Sequence, residues 1–234
     1  MVPRETFLQW AESERKWLEL FADRNQLSLT VEQVDQLLRY GAGLREINQI
    51  HNLVSRKDEE GIIRRHIAHA LTILYYCTIP DDGSLADWGS GGGIPGIPLS
   101  ICLPRQSVAL IDSIQKKSDA QQEMIQYLGL TNCKAIRGRI EELGSHYPAK
   151  VVVARAVADL TDLFKWGKTW MATQTQQFIL LKGTTFTEEL KQLPMASKQL
   201  IEDIRLHSID LFGHEEIGEN KLVAEIWIKK HKIN

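Results

Sequence analysis

The sequence lacks the features that mark several special classes of protein. Its 234 residues include 3 cysteines, which lie far apart and form no CxxC pair, so it is not a disulfide-stapled miniprotein. No run of 18 apolar residues offers a membrane-spanning helix, and the first ten residues contain no apolar signal-peptide core. Lys and Arg together number 28 against 30 for Asp and Glu, so any nucleic-acid surface must be a local patch. We expect a globular protein of the reducing cytoplasm.

The first third of the chain predicts helices. Trp10, Trp17 and Phe21 recur at helical spacing, and we interpret this aromatic stripe as packing. Thr30 and Gln33 form a capping box before a second apolar stripe. A third helical pattern covers roughly residues 58–76. We therefore expect residues 1–76 to form an N-terminal helical segment.

After the turn cluster at residues 80–83, short β-rich runs alternate with helical stretches. One such helix ends at Gly129, a typical residue after a helix. Alternation of this kind predicts an α/β domain over residues 77–234 with a mostly parallel seven-stranded sheet. The last two runs lack a helix between them and predict an antiparallel pair at one edge. The predicted strands are Ser84–Trp88, Ser107–Ile111, Cys133–Ile136, Val151–Ala154, Phe178–Leu181, Ile204–Leu211 and Leu222–Ile228.

A glycine-rich turn follows the first predicted strand, with five glycines in the eight residues 89–96. Glycine permits positive φ angles and leaves no Cβ between the backbone and a ligand. Such a turn at the carboxyl end of a parallel strand predicts a ligand crevice. Gly91, Gly93 and Gly96 match the dinucleotide fingerprint G-x-G-x-x-G, and Asp112 lies 21 residues after Gly91. An NAD-dependent oxidoreductase is therefore one interpretation.

A second frame fits the strand better. The NAD fingerprint begins at Gly91, three residues after the predicted strand ends at Trp88. The pattern Asp87-x-Gly89-x-Gly91-x-Gly93 instead starts within the last residues of the strand. An adenosyl ligand without phosphates needs close backbone approach and a carboxylate for the ribose, and this frame supplies both. No evident acid for a hydride-transfer site accompanies the NAD frame. These observations favour an adenosyl ligand.

The segment over residues 87–99, DWGSGGGIPGIPL, closely resembles the first motif of the RsmG (GidB) family of small-subunit ribosomal RNA guanine-N7 methyltransferases. Further segments resemble family motifs in the same order along the chain. One departure from the family pattern stands out, since its RHILDS stretch reads RHIAHA here and places His69 and Ala70 where Asp and Ser are usual. The further matching segments are NLVS at 52–55, RHI at 65–67, LIDS at 110–113 with Lys116 and Lys117, GRIEE at 138–142, ARA at 154–156 and LKG at 181–183.

The resemblance implies a Rossmann-like class I methyltransferase fold that binds S-adenosylmethionine. It implies that Asp112 binds the ribose, that Ile140 and Glu141 contact the adenine, and that Asp87 stabilises the glycine turn. It further implies catalytic roles for Arg155 and Lys182. The implied cofactor-binding residues are Asp87, Gly89, Gly91, Gly93, Ile94, Asp112, Ile140, Glu141 and Arg155, and the implied RNA-contacting residues are Arg65, His66, Lys182 and Lys221.

The implied chemistry needs no general base, because N7 of guanine has a free lone pair and carries no proton. Two histidines, His66 and His69, stand three residues apart, but without a third ligand they predict no metal site. The Lys- and His-rich segment at 229–232 is a further candidate for RNA contact. We expect a monomer that acts on 16S ribosomal RNA or the 30S particle without a membrane. A non-catalytic RNA- or ribosome-binding module on the same fold remains the other alternative.

Overall fold

Seven strands form one sheet in the computed structural model, which describes residues 4–51, 61–80, 83–144, 146–147, 149–173 and 175–229. Their order is β3-β2-β1-β4-β5-β7-β6, and all pairings are parallel except those of β7 with β5 and β6. The predicted mostly parallel sheet with an antiparallel pair at one edge is confirmed. The strands are β1 (Ser84–Trp88), β2 (Ser107–Asp112), β3 (Cys133–Arg137), β4 (Val151–Arg155), β5 (Gln177–Gly183), β6 (Ile201–Ser208) and β7 (Lys221–Ile228).

Helices precede the sheet and connect most of its strands, as the alternating pattern predicts. None of the helices in the described part of the chain is long and apolar enough to cross a membrane. The helices are α1 (Arg4–Arg24), α2 (Val31–His51), α3 (Ala68–Tyr76), α4 (Gly96–Cys102), α5 (Gln115–Leu128), α6 (Ile140–Leu143), α7 (Leu160–Trp166), α8 (Lys168–Thr173), α9 (Phe186–Gln192), α10 (Met195–Lys198) and α11 (His214–Ile217).

Local sequence signals set several helix ends where they were expected. Thr30 Oγ1 accepts a hydrogen bond from the Gln33 amide at 3.2 Å, and Gln33 Oε1 accepts one from the Thr30 amide at 2.9 Å, which confirms the capping box. Gly129 ends α5 with a φ of 67°, a left-handed conformation that glycine adopts without steric cost. Trp17 stacks on Phe21 inside the core, so this part of the aromatic stripe is packing.

Two predicted elements differ from the structure. The strand expected over residues 204–211 lies at Ile201–Ser208, because Leu211 is apolar yet packs into the core from the loop after the strand. The third helical pattern is α-helical only from Ala68, and a π-helical turn over Ile62–Ile67 precedes it. Residues 58–60 of that pattern lie outside the described residues.

The hydrophobic core has two parts, one on each face of the sheet. On one face, side chains of α1 and α2 pack in the same cluster as residues of β1, β2, β4 and β5. On the other face, side chains of α7, α8 and α9 cover the sheet. The N-terminal helices therefore share a core with the sheet, and the domain boundary at residues 76 and 77 stays a prediction.

Candidate functional site

A first cavity of about 280 Å³ opens at the carboxyl ends of β1, β2, β3 and β4. Parallel sheets usually bind ligands at this edge. Six of its lining residues come from the two segments 111–113 and 138–140, which lie at or just after the carboxyl ends of the neighbouring strands β2 and β3. The cavity is lined by Gly89, Ile111, Asp112, Ser113, Lys117, Gly138, Arg139, Ile140, Glu141, Ala156, Val157 and Trp166.

The glycine turn reaches the first cavity at Gly89, whereas the predicted cofactor residues Gly91 and Gly93 do not line it. Gly89, Gly91 and Gly93 all have positive φ angles, of 63°, 57° and 92°, which few other residues adopt. A Cβ on Gly89 would collide with the side chain of Val157. The turn therefore needs glycine for its backbone conformation and for close packing.

Asp112 fixes the glycine turn to the second strand. Its carboxylate accepts hydrogen bonds from the amides of Gly91 at 3.0 Å and Ile114 at 2.9 Å, and Lys117 Nζ lies 3.9 Å away. Because Asp112 also lines the first cavity, it stands where a ribose acid is expected. Its ribose contact stays a prediction.

Asp87 is fully buried beneath the same turn. Its Oδ2 accepts a hydrogen bond from the Gly96 amide at 2.8 Å, which agrees with the expected stabilising role. Burial raises the pKa of Asp87 to about 8, although the Gly96 hydrogen bond and the charge of Arg155 lower it. The diphosphate of NAD accepts hydrogen bonds from the first backbone amides of the helix that follows the turn. Here the first such amide, that of Gly96, already donates to the Asp87 carboxyl. The structure thus favours the adenosyl frame over the NAD frame.

The side of the first cavity next to α6 contains predicted and unpredicted residues. Ile140 and Glu141, at the start of α6, line it as expected, and the Ile140 carbonyl accepts a hydrogen bond from Trp170 Nε1 at 2.7 Å. Ile94 is buried in the core and does not line this cavity. Val157 and Trp166 line it without having been predicted, since neither belongs to a recognisable motif.

Two further side chains hold the glycine turn from behind. The Tyr40 hydroxyl on α2 donates to the Gly92 carbonyl at 2.8 Å. Gln121 Nε2 on α5 donates to Ser90 Oγ at 2.9 Å and to the Gly91 carbonyl at 2.7 Å. Sequence reasoning missed both residues, because nothing in the sequence indicates which polar side chain of a helix faces the turn.

A second cavity of about 390 Å³ adjoins the first. It brings together all four residues that the resemblance implies for RNA contact, which are separated by up to 156 positions in the sequence. The second cavity is lined by Arg65, His66, His69, Arg155, Ala156, Leu181, Lys182, Gly183, Ile217 and Lys221.

Arg155 lies in the second cavity and not in the first, although the resemblance implies a cofactor role as well. Its Nη2 lies 2.7 Å from Nδ1 of His66. A guanidinium can only donate, so Nδ1 of His66 is the acceptor and carries no proton. Ala156, the next residue, lines both cavities and has a φ of 53°, which is uncommon for a residue with a Cβ. The two cavities therefore meet at one backbone position.

Lys182 is held by an ion pair in the second cavity. Its Nζ donates to Glu189 Oε2 and to the Ala158 carbonyl, both at 2.7 Å. Glu189 therefore offsets the charge of Lys182, whose catalytic and RNA-binding roles stay predictions. Lys221 is exposed at the cavity mouth and has no ion-pair partner among the described residues. The NLVS segment at 52–55 and the basic residues at 230–232 lie outside the described residues.

Comparison with known proteins assigns the chain to a family. A family described as rRNA small subunit methyltransferase G matches residues 33–215. The chain belongs to this family. A ribosomal RNA small subunit methyltransferase G of Chlorobium chlorochromatii is 40% identical over 182 residues, which cover 78% of this chain and 77% of the relative. A protein of the same name from Salinibacter ruber is 35% identical over 209 residues, covering 84% and 94%.

Solved structures resemble this member of the methyltransferase G family in fold. A chain of the fibrillarin/Nop5p complex matches with a TM-score of 0.51 and 8% identity, covering 71% of this chain and 82% of that one. The B. subtilis tRNA methyltransferase TrmK matches with a TM-score of 0.50 and 15% identity, covering 69% and 66%. At such low identity the likeness shows a shared fold alone.

The first cavity fits S-adenosylmethionine, the cofactor that the family resemblance implied. Gly89 lines the cavity without a side chain, so a ligand can approach its backbone closely. Asp112 offers carboxylate oxygens for ribose hydroxyls, and Ile111, Ile140 and Trp166 offer apolar surface for a purine. A nucleoside without phosphates is bound through such contacts, a carboxylate for its ribose hydroxyls and apolar surface for its base.

Proposed function

We propose that the protein transfers the methyl group of S-adenosylmethionine to N7 of a guanine in 16S ribosomal RNA. One observation carries the proposal. A cavity that fits the cofactor adjoins a cavity lined by cationic side chains, and both share Ala156. A base in the second cavity then lies beside the cofactor cavity, which is the arrangement that direct methyl transfer requires.

The residues of the first cavity would bind and orient the cofactor. The turn at Gly89, Gly91 and Gly93 would accommodate the methionine and ribose parts, and Asp112 would bind the ribose. Ile140 and Glu141 would contact the adenine. When bound, S-adenosylmethionine supplies a methyl group activated by a sulfonium ion.

The residues of the second cavity would hold the acceptor nucleotide. Arg65 and Lys221 are exposed at its mouth, where they can neutralise phosphates of the RNA. Arg155 contacts His66 and directly precedes Ala156, which lines both cavities, so it would fix the nucleotide near the reacting atoms. N7 carries no proton, so catalysis consists of alignment, which can contribute roughly 7–11 kcal/mol in favourable cases.

Calorimetric titration with S-adenosylmethionine, S-adenosylhomocysteine and NAD tests the cofactor assignment. We expect the wild type to bind the first two and not NAD, and Asp112→Ala to lose at least about tenfold in affinity, since two amide hydrogen bonds and a ribose contact disappear. Asp119→Ala is the matched control, because Asp119 is an exposed acid on α5 that lines neither cavity. NAD binding alone would overturn the assignment.

Radiolabelled methyl transfer into undermethylated 30S subunits and into free 16S RNA tests the reaction. We expect label at N7 of a guanine, located by cleavage of the modified RNA. Tight RNA binding without transfer would instead support the non-catalytic RNA-binding module.

We also propose a cytoplasmic monomer, because its substrate is in the cytoplasm and the two cavities are built within one chain. Light scattering tests the monomer.

A further inference from the structure

The floor and the mouth of the second cavity differ in chemistry. Arg65 and Lys221 are exposed at the mouth, whereas His69, Leu181 and Ile217 are buried at the floor. Among the described residues that line the cavity there is no carboxylate. The exposed cations at the mouth can meet a phosphate backbone, whereas the half-buried Arg155 and Lys182 stand further in, beside the uncharged floor residues.

His69 is the polar group of that floor. Its side chain is only 5% exposed, and Nε2 is fully buried with no hydrogen-bond partner among the described residues. Buried polar atoms in native proteins are nearly always hydrogen-bonded, and an unpartnered one in a cavity indicates a missing ligand or water. The proposed substrate of this cavity can supply that partner.

The surroundings of His69 keep its imidazole neutral. Burial is the main cause that lowers its pKa to about 3, and the positive charges of Arg155 and Lys221 and the neighbouring His66 act in the same direction. A neutral imidazole offers one N–H donor and one lone-pair acceptor. It is suited to the edge of a nucleobase, which presents carbonyl acceptors and N–H donors.

The local backbone brings His69 to this position. The π-helical turn over Ile62–Ile67 joins α3 directly, and Arg65, His66 and His69 from this continuous segment all line the second cavity. Such turns within helices often occur at functional sites. One segment thus supplies a cation at the mouth and the polar group at the floor.

We propose that His69 forms a hydrogen bond to the base of the acceptor guanine and holds it in the second cavity. The inference rests on the proposed function, since it assigns a base-contacting residue to that reaction. His69 does not line the first cavity, so its removal affects the acceptor and leaves cofactor affinity unchanged.

The test compares His69→Ala and His69→Gln with the wild type, using undermethylated 30S subunits and saturating S-adenosylmethionine. We expect His69→Ala to lower kcat/KM for the subunits at least about tenfold, because the base and the cavity lose a buried hydrogen bond. Glutamine is also neutral and carries a donor and an acceptor, so His69→Gln should stay within about threefold. His207→Gln, on β6 outside both cavities, is the control.

The affinity for S-adenosylhomocysteine and the melting temperature separate a substrate contact from a structural role. Unchanged values in His69→Ala together with rescue by glutamine support the inference. Wild-type kinetics in His69→Ala, equal losses in both variants, or a parallel loss of cofactor affinity would each overturn it. A wild type that binds cofactor but methylates no small-subunit RNA would overturn the proposed function itself.

Discussion

The two cavities are built in different ways. The first is formed by loops that follow consecutive parallel strands, and its residues belong mainly to short motifs such as the glycine turn. The second combines the end of the N-terminal helical segment with the ends of β4, β5 and β7. A cofactor cavity can thus follow from the sheet alone, whereas the acceptor cavity depends on an added helical segment.

The largest expected effect comes from Gly96→Ala, which disturbs the glycine turn beside the first cavity and leaves the second cavity in place. A Cβ on Gly96 would collide with Leu110 and with the buried carboxyl of Asp87, so Gly96→Ala must displace the glycine turn. We expect the free energy of unfolding to fall by about 3 kcal/mol, at the upper end for overpacking, and the affinity for S-adenosylhomocysteine to fall with it. Denaturant titration and calorimetry measure the two.

Gly129→Ala provides the comparison for that variant. Glycine is again replaced by alanine, here at a φ of 67°, but a Cβ at this position meets nothing within 4 Å. We expect a loss of about 1 kcal/mol from backbone strain and unchanged cofactor affinity. Equal cofactor affinities in both variants would contradict the close packing assigned to Gly96.

Arg155→Ala decides to which cavity this residue belongs. Because it lines the second cavity and binds His66, we expect kcat/KM for 30S subunits to fall roughly 10- to 100-fold, the range for a hydrogen bond from a charged group. The dissociation constant of S-adenosylhomocysteine should change less than about threefold. If Arg155→Ala instead lowered only the cofactor affinity, Arg155 would act on the cofactor in the first cavity and not on the acceptor. Arg155→Lys keeps the charge without the planar fork and should recover only part of the rate.

Asp87→Asn should change the pH dependence of stability. The pKa of Asp87 is raised by burial from 3.8 to about 8, so the folded state binds the proton more tightly than the unfolded state. Its contribution is fully present below about pH 4 and is lost as pH rises through 8. Asparagine does not ionise, and we expect the stability lost between pH 5 and 8.5 to shrink by about 1 kcal/mol or more. Urea titrations of both proteins at the two pH values would show no difference if the carboxyl were exposed.

The smallest effect links the helical segment to the first cavity. Tyr40→Phe removes the hydrogen bond to the Gly92 carbonyl while the ring stays in the core. We expect a two- to tenfold weaker affinity for S-adenosylhomocysteine, equivalent to about 0.5–1.5 kcal/mol. Tyr127→Phe, at an exposed tyrosine, is the control and should bind normally.

The pattern of apolar residues predicted well those strands whose apolar residues are all buried within the strand itself. One example is β4, which is buried along most of its length. It misplaced the end of β6, since Leu211 is equally apolar but packs from a loop. The glycine motif located the first cavity. Trp166 could not be predicted, because its place depends on how α7 returns over the sheet. The ion pair of Lys182 with Glu189 likewise depends on the packing of α9 against β5.

The second cavity could be anticipated only through family resemblance, since its residues come from four separate parts of the sequence. His69 illustrates the limit. From the sequence it was a departure from the family pattern, whereas the structure places it at the cavity floor beside Arg155 and His66. Its effect depends on burial and on neighbouring charges, neither of which a motif describes.

Ala156 joins the two cavities through its backbone, held in a left-handed conformation that costs a residue with a Cβ about 1–2 kcal/mol. Any shift of this residue on cofactor binding also alters the shape offered to the nucleotide. Thermodynamic linkage then makes the influence reciprocal, so the factor by which cofactor changes RNA affinity equals the factor by which RNA changes cofactor affinity. A single alanine can thereby make the affinities for cofactor and RNA depend on each other.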